Sequence, residues 1–157
     1  MGTLTDWENL RAGHDCPLCW PRPEVNDTWF FIARLEVSSL YLSRENQAYR
    51  GATQLIYDGG HVTRLGELSP AEWTALSRDL YTAEKAQMKA FKPDHVNVAT
   101  LGNIVPHLHW HLVPRYRDDP RWGAPIWTDH RNDTPRVTLA EAEYAELAAR
   151  IRKSIDD

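Results

Sequence analysis

Apolar positions along this chain alternate with polar ones in some segments and recur at helical spacing in others. Because side chains repeat every two residues in a strand and every 3.6 in a helix, these segments predict separate strands and helices. Segments rich in aromatic, β-branched and other apolar residues predict five strands, at 28–37, 39–43, 52–57, 95–101 and 107–114.

Two segments show the signals of a helix. Residues 69–72, Ser-Pro-Ala-Glu, are typical of a helix start, since serine caps, proline suits the first turn and glutamate stands three positions after the cap. Apolar residues then recur at helical spacing until Pro93. Thr138 with Glu141 repeats the capping pattern before a C-terminal helix predicted at 137–157. The order of elements predicts an α+β fold, in which one long helix and the C-terminal helix pack on an antiparallel sheet.

The 157 residues, of which 42% are hydrophobic, are enough for a single domain, 1–157, with its own core. Within it, 1–27 is expected to be an irregular N-terminal segment and 118–136 a loop. A formal net charge of -4 without a basic stripe argues against nucleic acid as a partner. Apolar runs too short for a bilayer argue against a membrane, and a polar N-terminus without a signal-peptide core predicts a cytoplasmic location.

Histidines alternate with apolar residues in 107–113, His-Leu-His-Trp-His-Leu-Val. In a strand this pattern places His107, His109 and His111 on one face and buries the intervening leucines and tryptophan on the other. Three aligned imidazoles favour metal binding, phosphate chemistry or both. The alternative is a strand that is merely rich in histidine.

Cys16 and Cys19, the two cysteines of the chain, are separated by two residues. This spacing is half of a common zinc ligand set, and a tetrahedral structural site needs two further ligands. Two free, partly buried cysteines that behave as small apolar residues are the alternative. A redox pair is a third interpretation, although no thioredoxin-like βαβ pattern surrounds the two residues.

The segment 107–113 has the form His-φ-His-φ-His-φ-φ, in which φ is apolar, and the chain resembles the histidine triad (HIT) superfamily of nucleotide hydrolases and transferases. The resemblance extends over roughly Cys16 to Trp122 through a similar order of cysteine pair, strands, helix and glycine-containing turn. It implies a five-stranded antiparallel sheet with helices on one side, a homodimer and a nucleotide pocket beside the triad strand. The family's substrates are nucleotides joined through phosphate to another group, such as dinucleoside polyphosphates, nucleoside phosphoramidates, and acyl or sugar nucleotides.

The resemblance also implies roles for individual residues. His109, the middle histidine, corresponds to the nucleophile that attacks the α-phosphorus and forms a nucleotidyl-histidine. The backbone of His107 would hold the reactive tautomer, and His111 would bind substrate and donate to a phosphoryl or bridging oxygen. Asn97 and Asn103 match positions at which relatives place polar residues near the substrate. The alternative for both asparagines is hydrogen bonding at a turn or a strand end.

Some members of the superfamily bind zinc through an N-terminal Cys-x-x-Cys, a histidine after the third strand and the first triad histidine. The corresponding residues here are Cys16, Cys19, His61 and His107, which implies a structural zinc that attaches the N-terminal segment to the sheet. His14, close to the cysteine pair, is a possible substitute ligand.

The chain departs from many relatives at Gly51-Ala52, where they have Gly-His, and Gln54 is a candidate replacement. Trp122 or Trp127 would stack on a base, close the cleft, or pack against the fold or a partner subunit. The predicted function is a nucleotide hydrolase or nucleotidyl transferase, for example a diadenosine tetraphosphate or adenosine phosphoramidate hydrolase. Two alternatives are a nucleotide-binding regulatory module with slow turnover and a protein whose triad holds a catalytic metal. The intact middle histidine favours the enzyme over the regulatory module.

Overall fold

The structure, a computed structural model, describes residues 4–119, 121–127 and 137–157. These residues form three α-helices and five β-strands, which confirms the predicted α+β fold. In chain order the elements are α1 (Leu4–Arg11), β1 (Trp29–Arg34), β2 (Ser38–Ser43), β3 (Thr53–Tyr57), α2 (Pro70–Phe91), β4 (His95–Ala99), β5 (His109–Arg115) and α3 (Glu141–Asp156), with a short 3-10 turn at Leu65–Glu67.

The five strands form one sheet in the order β1-β2-β3-β5-β4, and every neighbouring pair is antiparallel. Strand β5, which carries the second and third histidines, therefore lies inside the sheet between β3 and β4. Its register places His109 opposite Ile56 of β3, and His111 opposite Gln54 of β3 and Ala99 of β4. Because side chains in register share a face, Gln54 and Ala99 lie beside His111.

Helices α2 and α3 pack against the sheet and against each other. The predicted capping box opens α2, since the Ser69 hydroxyl accepts from the Glu72 N–H and the Glu72 carboxylate accepts from the Ser69 N–H. The alternate residues of β5, Trp110 and Leu112, belong to the same core as these helices. The histidines consequently extend from the opposite face of the sheet. No helix within the described ranges is long and apolar enough to cross a bilayer.

The N-terminal segment contains a helix where irregular chain was expected, so that prediction was wrong for α1. Asp6 in its first turn and Arg11 in its last turn suit the helix dipole. The Arg11 guanidinium also lies 5.7 Å from the centre of the Trp7 ring, one helical turn earlier. A helix of eight residues offers too few turns for its apolar positions to show a period.

The ends of several other elements also differ from the predictions. Helix α3 begins after Ala140, whose N–H donates to the Glu143 carboxylate, and not at a Thr138 cap. The preceding Leu139 N–H donates to the Tyr144 hydroxyl, a local contact that the capping pattern does not include. The predicted loop at 118–136 is only partly described. Its described residues carry turns and neither helix nor strand, and 128–136 lie outside the described residues.

Candidate active site and metal cluster

His109 is held by a hydrogen bond to the backbone. Its Nδ1 lies 2.6 Å from the carbonyl oxygen of His107, and a carbonyl only accepts, so Nδ1 carries the proton. The other ring nitrogen, Nε2, therefore bears the lone pair. Burial lowers the pKa of His109, against the opposing effect of this hydrogen bond, so the imidazole is neutral at physiological pH. A neutral ring with an oriented lone pair is the form that acts as a nucleophile.

His111 lies beside His109 with a ring-centroid distance of 5.1 Å. Burial, and to a smaller extent the neighbouring His109, lowers the pKa of His111 to about 4. The ring is consequently neutral and carries a single N–H. Its Nδ1 is buried and has no hydrogen-bond partner among the described residues. The ring of Trp127 contacts it edge to face, with centroids 5.3 Å apart.

The two predicted asparagines lie in different places. Asn97 pairs with Val113 in the sheet and so shares the histidine face, where its Oδ1 accepts from Arg115 at 2.7 Å. Asn103 is exposed on the loop before β5 and lines a cleft of about 400 Å³ near the metal cluster. Neither His109 nor His111 lines that cleft. The structure thus brings Asn97 onto the histidine face and places Asn103 outside it.

The four residues predicted to hold zinc converge on one point. The Sγ atoms of Cys16 and Cys19 and one ring nitrogen each of His61 and His107 all lie within 4.8 Å of one another. The Nδ1 atom of His61 is 3.4 Å from Cys19 Sγ, and that of His107 is 3.6 and 3.7 Å from the two sulfurs. Zinc–sulfur bonds of about 2.3 Å and zinc–nitrogen bonds of about 2.0 Å at the tetrahedral angle imply a separation of about 3.5 Å. The donor set and its spacing therefore fit a tetrahedral zinc ion.

Both histidines of this cluster are oriented by backbone carbonyls. The Nε2 atom of His107 lies 2.8 Å from the Tyr57 oxygen, and that of His61 lies 3.0 Å from the Arg11 oxygen. Because each Nε2–H donates outward, each Nδ1 lone pair faces the sulfurs, as metal-binding histidines require. Burial raises the pKa of the Cys19 thiol to about 11, so an ion must displace its proton. His14 is exposed and does not belong to the cluster.

A buried ion pair attaches the cysteine loop to the sheet. Arg22 donates to the Leu18 carbonyl, inside the Cys-x-x-Cys turn, at 2.7 Å and also pairs with Asp58 at the end of β3. The Ser39 hydroxyl donates to the same carboxylate at 2.6 Å. Arg22 and Asp58 were not predicted from the sequence, because a charged residue near a glycine or proline turn is ordinarily a solvated one.

A second buried arginine, also missed, lies at the end of the triad strand. Arg115 is 3% exposed and pairs with Asp119 through two hydrogen bonds of 2.8 and 2.9 Å. It stands four residues after His111, on the same face of β5 by strand alternation. The one sequence feature that could have indicated Arg115 is its position at the end of a strand predicted to be buried.

The sequence model of the HIT domain family matches residues 36–118. None of the curated protein sequences matches the chain. Similar solved structures include a histidine triad (HIT) protein from Sinorhizobium meliloti 1021, with 25% identity, a TM-score of 0.71, and coverage of 80% of this chain and 89% of that one. A histidine triad protein from Bradyrhizobium japonicum has 22% identity, a TM-score of 0.73, and coverage of 82% and 92%. A Zn-bound histidine triad family protein from Mycobacterium smegmatis has 20% identity, a TM-score of 0.54, and coverage of 80% and 83%.

The matched residues 36–118 make up more than half of the 157-residue chain and include His107, His109 and His111 of the triad motif. The sheet order, the helices on one face and the histidines on the other agree with the fold that the motif implied. The chain belongs to the HIT domain family.

Proposed function

We propose that the protein is a nucleotide hydrolase or nucleotidyl transferase that forms a nucleotidyl-histidine on His109. The observation that carries this proposal is the 2.6 Å contact between His109 Nδ1 and the His107 carbonyl. This contact assigns the proton to one ring nitrogen and leaves the lone pair on the other, in a ring that burial keeps neutral. Family membership supports the same general chemistry.

In the proposed first step, the His109 Nε2 lone pair attacks the α-phosphorus. A phosphorus–nitrogen bond forms, and the bond from phosphorus to the leaving group breaks. The single N–H of neutral His111 donates to the phosphoryl or bridging oxygen as charge develops there. In the second step water attacks the phosphorus and gives up a proton to solvent, the phosphorus–nitrogen bond breaks with its electron pair returning to Nε2, and a nucleoside monophosphate is released. Two further substrate contacts are proposed: the NH₂ group of Asn97 on β4, and Asn103 on the loop between β4 and β5.

Intact-mass spectrometry after brief mixing with diadenosine tetraphosphate or adenosine phosphoramidate tests this mechanism. The wild type should carry a transient adenylyl group and release adenosine monophosphate, whereas His109→Ala should do neither and still bind nucleotide. His95→Ala is the matched control, because His95 is an exposed histidine of the same sheet and should leave the adduct unchanged. Turnover that persists in His109→Ala would contradict the mechanism. Nucleotide binding by the wild type without adduct or turnover would favour the regulatory module instead.

We also propose that Cys16, Cys19, His61 and His107 hold a structural zinc ion. The support is the match between their sulfur–nitrogen distances and tetrahedral zinc geometry, and the Mycobacterium smegmatis protein of the same fold is Zn-bound. When bound, the ion would fix the N-terminal segment against the sheet. We propose a cytoplasmic location, since a reducing compartment keeps both thiols available.

Metal analysis of protein purified without added zinc tests this site. The wild type should carry about one equivalent of zinc, the ordinary stoichiometry of such a closed four-ligand site. Cys16→Ser should lose most of it, whereas His14→Ser, a neighbouring change outside the cluster, should retain it. A zinc content far below one equivalent that Cys16→Ser leaves unchanged would refute the site.

A homodimer, which the family resemblance implies, is the third proposal. Strand β4 is an edge of the sheet, and Val98 on it is 40% exposed, with Leu101 and Ile104 exposed on the loop that follows. An exposed apolar edge strand is a template for pairing with another chain. Light scattering should give twice the monomer mass of 18.1 kDa, and Val98→Lys should reduce it. A monomer at micromolar concentration would contradict the dimer.

A further inference from the structure

The second and third histidines of the triad are held in different ways. A backbone carbonyl orients His109, whereas His111 Nδ1 is buried and finds no hydrogen-bond partner in the part of the chain that the structure describes. The ring neighbours of His111 are His109, at 5.1 Å, and Trp127, at 5.3 Å between centroids. Trp127 meets the imidazole at 61°, a favourable edge-to-face geometry. Within the described residues the His111 ring is therefore restrained by these ring contacts and by no hydrogen bond from Nδ1.

The segment 121–127 returns along the histidine face after the end of β5. Ile126 and Trp127 pack against a small apolar cluster of Tyr49, Ala52 and Val113. Val113 belongs to β5, and Ala52 directly precedes β3. Trp127 is thus supported by the sheet below it and is half-buried.

Arg115 shapes this returning segment. Its guanidinium N–H groups donate five hydrogen bonds of 2.6–2.9 Å, to both carboxylate oxygens of Asp119, to the carbonyls of Arg121 and Ala124, and to Asn97. An arginine side chain has five N–H donors, so every one is used. The Asp119 carboxylate in turn accepts from the N–H of Arg121 at 2.8 Å. The arginine and the aspartate therefore fix the turn that leads to Trp127.

We propose that Trp127 is a positioning residue for His111, and that Arg115 and Asp119 set the place of Trp127. The inference rests on the proposed function, in which the His111 N–H donates to the substrate. Trp127 restrains the rotation of the imidazole and keeps that N–H directed at the developing charge. It forms no bond to the reacting atoms. This role differs from stacking on the base, which would act on substrate affinity.

Steady-state kinetics of two Trp127 variants and one control variant test the proposal. Trp127→Ala should lower kcat about tenfold with little change in KM, because the donor is misplaced while the nucleotide still binds. Trp127→Phe, which keeps an aromatic edge, should restore most of kcat. Tyr81→Ala is the matched control, because Tyr81 is an exposed aromatic residue of α2, on the opposite side of the sheet from the histidines. A raised KM with unchanged kcat in Trp127→Ala would overturn the proposal in favour of base stacking.

A second measurement needs no turnover. Imidazole nitrogen NMR on selectively labelled protein reports the tautomer and mobility of His111 directly. Trp127→Ala should shift the His111 nitrogen resonances towards the average of the two tautomers and leave those of His109 in place. Unchanged His111 resonances would overturn the proposal. A wild type without turnover of any nucleotide would instead refute the proposed function, while this spectrum would still decide the positioning role.

A double variant tests whether Arg115 and Asp119 act on kcat through Trp127. Asp119→Asn and Arg115→Lys each weaken the two-bond pairing, and thermal melts identify the variant that stays folded. Its kcat should fall in the same direction as that of Trp127→Ala. Combining it with Trp127→Ala should lower kcat no further, since both changes act through one contact. Multiplicative losses would show that Arg115 and Asp119 act independently of Trp127.

Discussion

The buried carboxylate of Asp79 should contribute more to the free energy of unfolding than the exposed side chains beside it on α2 do. Asp79 is 4% exposed, and it accepts from the N–H groups of Glu36 and Val37 at 3.0 and 2.9 Å and from the Ser38 hydroxyl at 2.6 Å. These bonds attach α2 to the turn between β1 and β2. Asp79→Ala leaves three donors without an acceptor, at about 1–3 kcal/mol each when buried. Since water reaches part of the turn, we expect a loss of about 4 kcal/mol in the free energy of unfolding.

Urea unfolding at neutral pH measures this loss. The matched control is Arg78→Ala, one residue earlier on the helix, which removes an exposed pair with Glu36 at 2.9 Å. Exposed pairs of this kind contribute about 0–1 kcal/mol. Ser38→Ala removes one donor and leaves no orphaned group, so it should cost about 1 kcal/mol. If Asp79→Ala cost no more than Arg78→Ala, the hydrogen bonds at the turn would not stabilise the fold as argued.

Two further predictions concern the backbone and the histidine face. Gly51 has a φ of +89°, and a Cβ there would overlap the ring of Phe91, so Gly51→Ala should lower the free energy of unfolding by about 2 kcal/mol or more. Gly66→Ala, where the added Cβ would meet open space, should be neutral in the same urea assay. Burial lowers the pKa of His111 to about 4 from about 6.5 in the unfolded chain, so its neutral form stabilises the fold above pH 6.5 and this stability is lost as the pH falls towards 4. When the pH falls from 7 to 5, the free energy of unfolding of His111→Gln should therefore decrease by about 2 kcal/mol less than that of the wild type. Equal decreases in the two proteins would contradict the burial argument.

Features that depend on local patterns were predictable from the sequence. The capping box at Ser69 and the face shared by His109 and His111 follow from spacing alone, and the structure agrees. The convergence of Cys16 with His61 was expected only through the family resemblance, because the 44 residues between them carry no distance information. The structure does bring the two residues together.

Features that depend on loop conformation were not predictable. Arg115 has acceptors that include backbone carbonyls of residues 121 and 124, and every residue type carries such a carbonyl. The sequence around them therefore holds no signal for the contact. Helix α1 was also not predicted, since its charged ends and one Trp7–Arg11 contact give only a weak local signal for a helix.

His107 joins the metal cluster to the nucleophile through two different groups. Its imidazole faces the cysteine sulfurs, whereas its main-chain carbonyl accepts from His109. A side-chain substitution removes the first contact and retains the second, so His107→Gln should lower the zinc content while the His109 nitrogen resonances keep the Nδ1-protonated tautomer. A matched change at His61, whose carbonyl contacts neither group in the described residues, should lower zinc equally. If His109 lost its tautomer in His107→Gln but not in His61→Gln, the imidazole of His107, and not its carbonyl, would orient the nucleophile.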